Sequence, residues 1–241
     1  MPFTDEAIDA LNAQENAYPL AFFQKFAQDI TVYEDDDIWV VDKPAGLLSV
    51  DGKSLKVSLL ARLERANPAV KLIHRLDMDT SGLVVIALTK RACSAFGRMF
   101  CLKEVSKTYL AVVTGNTKPD GEINLPIRCD IEHRPLQIVD FEQGKESLTL
   151  YQKITDYTVN PDFVSTSDYS ILKLTPITGR SHQLRLHLAS IDHAILGDRF
   201  YADDKTKTAA SRLCLHAAVL EFTHPFTGEQ LSFTSKPEFL L

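Results

Sequence analysis

An α+β fold with a mixed, mainly antiparallel sheet and packed helices is predicted by three features of this 241-residue chain. Apolar runs of strand length recur at IWVV, LVVIAL, YLAVV, YSILKL and CLHAAVLEF. Helical stripes separate only some of them, and after residue 105 the runs follow in hairpin-like succession through GEINLPI, unlike a strict βαβ alternation. A content of 45% hydrophobic and 24% charged residues supplies a sizeable core, which excludes disorder as the overall description.

The elements follow in order. Thr4, then Asp5 and Glu6, with Ile8 and Leu11 spaced i, i+3, read as a capped helix ending before Tyr18-Pro19. Phe22, Phe23 and Phe26 are expected to pin residues 1–30, an acidic extension, to a body spanning 31–241. The run from Ile38 reads as a buried strand stopped by Pro44, followed by the glycine-punctuated loop AGLLSVDG. Leu55, Leu59 and Leu63 share a helical stripe that should finish at Asn67-Pro68. IHRLDMDTSG is turn-like and runs straight into LVVIAL, so Asp77 sits in a loop hung on a core strand. A helix over 91–103, the strand KTYLAVV, a surface loop over 156–168, the strand YSILKLTP and a helix carrying Leu184, Leu188 and Ile191 complete the body. Arg180 is expected at the beginning of that last helix and Arg185 one turn on.

Charge and composition bound the function. The chain has 32 acids and 26 bases; the first 37 residues hold nine acids against Lys25, so residues 38–241 carry 23 acids against 25 bases. The body is therefore mildly basic, and a localised cationic groove is compatible with a net charge of -6. No apolar run approaches the roughly 20 residues of a spanning helix, and the acidic start does not resemble a signal peptide. Four cysteines without C-x-x-C spacing fit a reducing compartment, and a cytoplasmic location is expected.

Phosphate-loop, dinucleotide and H-E-x-x-H motifs are absent from the sequence. His182 and His187 are five positions apart, about 140° around a helix, and read as hydrogen-bonded histidines rather than as ligands. Cys214 and His216 lie in an apolar strand and suggest no thiol chemistry. No metal and no organic cofactor are expected. Asp77 is either a turn-capping residue or a reactive carboxylate; a nearby cation and apolar walls would make it a nucleophile or a base. Tyr109 is either core or a ring facing a planar base, and Arg180 either a surface arginine or a partner for a carboxylate.

HRLDMDTSGLVV, KTYLAVV, PITGRSHQLRLHLASIDHAILGDRFY and LHAAVLEFTHPFTGE, preceded by DKPAGLLSV, resemble the ordered motifs of the RluA-type RNA pseudouridine synthases over residues 33–233. Met78, ALTK at 87–90 and ILGDRFYA resemble the RluA branch of that family, which acts on both an rRNA hairpin and a tRNA anticodon arm. Asp51 stands where that branch has proline, and the acidic extension is too short for an added RNA-binding domain.

The resemblance implies a single synthase-like domain with a central cleft where Asp77, Tyr109 and Arg180 converge. Asp77 would open the N-glycosidic bond of uridine, either by attacking the sugar or by removing a ribose proton, and uracil would rejoin the ribose through C5. Tyr109 would stack on uracil and Arg180 would pair with Asp77. Arg75 would enter the RNA stack vacated by the target nucleotide, Leu215 would wall the pocket, and His74 and Arg185 would join them in binding substrate. A structured RNA, rRNA or tRNA, is the expected partner of a monomer that has no membrane contact. Two rivals are an RNA-remodelling module of the same fold and a carboxylate-dependent nucleoside or glycoside hydrolase. The second lacks an evident second carboxylate, which common glycosidase mechanisms require.

Overall fold

The computed structural model describes residues 4–241, so residues 1–3 of the extension lie outside the described residues. The chain falls into two compact units, one built from residues up to Val105 together with Glu221–Phe233, the other from Ser106–Leu220 with Thr234–Leu241.

In the first unit, α1 (Asp5–Ala17) begins at the predicted cap, where the Thr4 hydroxyl accepts the Ala7 N–H. A second helix, α2 (Leu20–Ile30), follows directly after Pro19. The sequence reading assigned no element there; Phe23 and Ala27, one turn apart, are its buried face. Both helices belong to this unit. Helix α3 (Leu59–Ala66) starts at Ser58, whose hydroxyl accepts the Ala61 N–H, and ends at Asn67. The cap sets this start, so Leu55, expected on the helical stripe, precedes the helix and is buried in the loop before it.

Strands β1 (Thr31–Glu34), β2 (Ile38–Lys43), β3 (Lys71–Leu72) and β4 (Ser81–Ala87) pair antiparallel, with β4 against β2 from Ala87↔Ile38 to Gly82↔Lys43. Every residue of β4 is buried, which explains its unbroken apolar run. Helix α4 (Lys90–Leu102) is capped by Thr89 and closed by Lys103 in the left-handed conformation, φ 60°. Its Phe96 meets Phe222 edge-on, with ring centroids 5.0 Å apart.

In the second unit, β5 (Ser106–Thr114), β6 (Asp120–Asn124), β9 (Leu148–Ile154) and β10 (Tyr169–Pro176) pair antiparallel in the order β5-β10-β9-β6. β7 (Ile127–Cys129) and β8 (Gln137–Val139) form a separate antiparallel pair. The expected loop at 156–168 carries no helix or strand. Helix α5 (Gln183–Ala189) starts later than expected because His182 takes a left-handed conformation, φ 52°, leaving Arg180 in the preceding turn. A short α6 (Asp204–Thr208) leads toward β11 (Leu215–Thr223), whose residues from Glu221 on belong to the first unit, as does β12 (Gln230–Thr234) up to Phe233. Val112, Leu172, Leu188, Ile195, Leu213 and Phe239 lie in the core of this unit. Gly197 sits at φ 77°, and a Cβ there would come within 2.0 Å of the Arg212 carbonyl, so glycine is required. The fold is α+β, and the pairings β1–β2, β2–β4, β3–β4, β5–β10, β10–β9, β9–β6 and β7–β8 are antiparallel.

Candidate active site

In the first unit the HRLD loop carries Asp77 half-buried at the mouth of β4. The loop is closed on itself by a hydrogen bond from the Thr80 N–H to the Asp77 carbonyl at 3.2 Å. Residues 43–49 hold its backbone further. The Ser49 hydroxyl donates to the Leu76 carbonyl at 2.6 Å and accepts the Leu76 N–H at 3.1 Å. On the other side of Asp77, the Met78 carbonyl accepts the Gly46 N–H at 2.9 Å and a Lys43 Nζ proton at 3.1 Å. Lys43 is fully buried, and its ammonium also donates to the carbonyls of Pro44 and Leu47. Lysine is rarely buried, and here three carbonyl dipoles stabilise its charge. Asp77 is thus presented from a backbone immobilised on both sides, the arrangement that keeps a reacting group in one geometry.

His74 has a different environment from a solvent-facing binding residue. Its Nε2 accepts the Val85 N–H of β4 at 3.0 Å, which places the proton of the neutral ring on Nδ1, and its ring lies 4.8 Å from that of Phe100. Arg75, the next residue, is exposed. At Asp51 the substituted loop is closed by a side chain, since Asp51 Oδ1 accepts the Ser58 hydroxyl at 2.7 Å.

In the second unit Tyr109 is half-buried in β5, in register with Leu174, and packs on the core. Lys107, two residues earlier on the same face, has its pKa lowered by desolvation. Arg180 is exposed, and its Nε donates to the Glu146 carbonyl at 3.2 Å. The turn that presents it is organised by Gln183, whose Oε1 accepts the Arg180 N–H and the Thr178 hydroxyl and whose amide donates to the Leu148 carbonyl. Arg185, 2% exposed, is held by Asp198 through two bonds of 2.8 and 2.6 Å and lies over the rings of Phe200 and Tyr201. Asp198, itself fully buried, also accepts the N–H groups of Phe200 and Tyr201. Leu215 is buried in β11.

Lys43, Ser49, Gln183 and Asp198 were not singled out in the sequence. Only Lys43 carried a signal there, as a lone cation ending an apolar strand. Among the described residues no group of three or more His, Cys, Asp or Glu side chains is placed to hold a metal ion. His187 is buried with Nε2 against the Leu125 carbonyl and Nδ1 against the Thr149 hydroxyl, and desolvation lowers its pKa. Burial pushes the Cys214 thiol up to about 12, which keeps it from acting as a nucleophile. No helix among the described residues is long and apolar enough to cross a membrane.

The RNA pseudouridylate synthase family pattern matches residues 37–190. The chain is 47% identical over 211 residues to the dual-specificity RNA pseudouridine synthase RluA of Pasteurella multocida, covering 86% of this chain and 93% of that one. It is 46% identical over 213 residues to the protein of the same name from Yersinia pestis, covering 87% and 100%. Among solved structures, human RNA pseudouridylate synthase domain containing 1 superposes with a TM-score of 0.73 at 28% identity, covering 87% of this chain and 83% of that one. Identity of this extent along nearly the full length of the relatives, joined to a family pattern that takes in the loop around Asp77, makes the chain a member of the RluA-type RNA pseudouridylate synthases.

Proposed function

We propose that this enzyme isomerises uridine in two RNA settings, a 23S rRNA hairpin and the tRNA anticodon stem-loop, with Asp77 as its essential carboxylate. The observation that carries the reading is the immobilised loop. A half-buried carboxylate flanked by clamped peptide groups suits a reaction in which one bond to C1′ breaks and another forms. The N1–C1′ bond opens, uracil turns, a C5–C1′ bond forms, and the C5 proton is lost while N1 gains one. Nothing is oxidised and no group leaves, so the chemistry calls for no co-reactant.

Neither C1′ nor C5 can be worked on inside a base stack, so the nucleotide must be extruded at a cost of a few kcal/mol. Arg75, exposed beside the catalytic loop, suits the space the nucleotide vacates. Tyr109 supplies a half-buried ring for stacking on uracil, with Leu215 as an apolar wall. Arg180, by resemblance, supports the carboxylate. The dual target is supported by the shared name of the Pasteurella and Yersinia relatives, both described as dual-specificity enzymes.

The test is incubation of purified protein with each synthetic hairpin, followed by pseudouridine-specific chemical mapping. Modification of both hairpins is expected. Modification of neither, with clear modification elsewhere in rRNA, would refute the dual target while leaving the family intact.

A further inference from the structure

Both backbone polar groups of Leu76, the residue before Asp77, are bonded to a single side-chain atom from 27 positions away. Ser49 is 3% exposed, and its hydroxyl both donates to the Leu76 carbonyl and accepts the Leu76 N–H. These two groups belong to the peptide planes on either side of Leu76, and the second plane ends at the Asp77 Cα. One oxygen therefore sets the direction in which the chain enters Asp77. Ser49 is itself anchored: its carbonyl accepts the Leu60 N–H at 3.1 Å, and the carbonyl of Leu48 accepts the Leu59 N–H at 2.7 Å. Both donors are first-turn N–H groups of α3, which an α-helix leaves without intrahelical partners.

We infer that Ser49 is a positioning residue for the isomerisation, its hydroxyl aligning Asp77 through the backbone of Leu76. The inference rests on Asp77 being the reacting carboxylate. A hydroxyl whose only task is to satisfy buried backbone would affect folding; one that aligns Asp77 must affect the rate of the chemical step in protein that is folded and bound to RNA.

Ser49→Thr and Ser49→Val separate the two roles, because the side chains have the same branched shape and differ in hydroxyl against methyl. Single-turnover rates on the anticodon hairpin at saturating enzyme, RNA affinity and thermal midpoint are measured for both, with Ser49→Ala alongside. Ser49→Val is expected to lose roughly 10- to 100-fold in rate with affinity held within about threefold, as for a small misplacement of a reacting group, while Ser49→Thr stays within about fivefold of the parent. Equal rates for the Val and Thr variants overturn the inference. Failure of the Val and Ala variants to fold, beside a folded and active Thr variant, also overturns it, because the hydroxyl would then serve stability alone. Asp77→Asn in the same assay keeps the two readings apart. If that variant is active, the assignment of Asp77 fails; if it is inactive while Ser49→Val reacts normally, only the role of Ser49 fails.

Discussion

Glu15 of α1 and Arg62 of α3, 47 positions apart, meet in a bidentate ion pair with both N···O distances at 2.7 Å. Arg65 adds bonds to the Glu15 carbonyl and to the Asn16 side chain, and the two guanidinium groups stand over the rings of Phe26 and Phe23 at 4.9 and 4.6 Å. The acidic extension therefore spends one of its carboxylates on α3, the helix that anchors Ser49. Glu15→Gln keeps the shape and removes the charge, leaving Arg62 half-satisfied. A loss of about 2–3 kcal/mol is expected, read as a lower urea midpoint. An unchanged midpoint would show that the helices of the extension are held by their aromatic faces alone.

Asp77→Asn is expected to abolish product while leaving the thermal midpoint and RNA affinity in place. The loop is held by backbone bonds to Ser49, Gly46 and Lys43, none of which involves the Asp77 side chain. A fall of at least roughly 10³-fold is the scale seen when a nucleophile is removed. Full activity in the asparagine variant would refute the assignment.

Tyr109→Phe keeps the stacking ring and loses the hydroxyl, so binding should persist while product formation slows. Normal turnover would limit Tyr109 to stacking. Arg180→Ala and Arg185→Lys separate the two arginines in the same assay. Supporting a carboxylate calls for a cation held in place, and Arg185 is buried and paired with Asp198 whereas Arg180 is exposed. A large rate loss in Arg180→Ala supports the role proposed for it. A rate loss confined to Arg185→Lys would move that role to Arg185.

His216 gives the stability a pH dependence. Burial, aided by the charge of Arg212 and opposed by Glu238 and the Ser235 carbonyl, pulls its pKa down to about 4. The unfolded chain takes up a proton below about pH 6.5, the folded protein only near 4, so stability is intact above 6.5 and falls as pH drops through that window. At pH 5 the loss from this group is about 2 kcal/mol. Thermal midpoints at pH 7 and pH 5 should diverge less in His216→Gln than in the parent. The same divergence in both would place the acid sensitivity in other groups.

Affinity for RNA should fall steeply with salt if phosphate contacts from the mildly basic body dominate, with a log-log slope of roughly 0.7–0.9 per phosphate neutralised. Filter binding of the anticodon hairpin across a salt series measures it. A flat dependence would assign the affinity to base stacking instead.

Local chemistry was legible in the sequence because its causes are local. Thr4 caps a helix that begins where its hydroxyl meets a free N–H group, and the apolar run at 83–88 reads as a strand of the core, as β4 is through Ala87. The HRLD motif likewise placed Asp77 in a loop at a strand mouth, where the structure has it. Tertiary structure alone decided the rest. The bonds from Ser49 to Leu76 and from Lys43 to Met78 span 27 and 35 positions, and the pairing of Glu15 with Arg62 spans 47. Side-chain bonds to distant partners leave no periodicity in a sequence, and a buried lysine runs against what its residue type predicts. The contrast between Arg180 and Arg185 has the same origin: both are cations five residues apart, and only the fold decides which one is sealed against Asp198 and which one meets water.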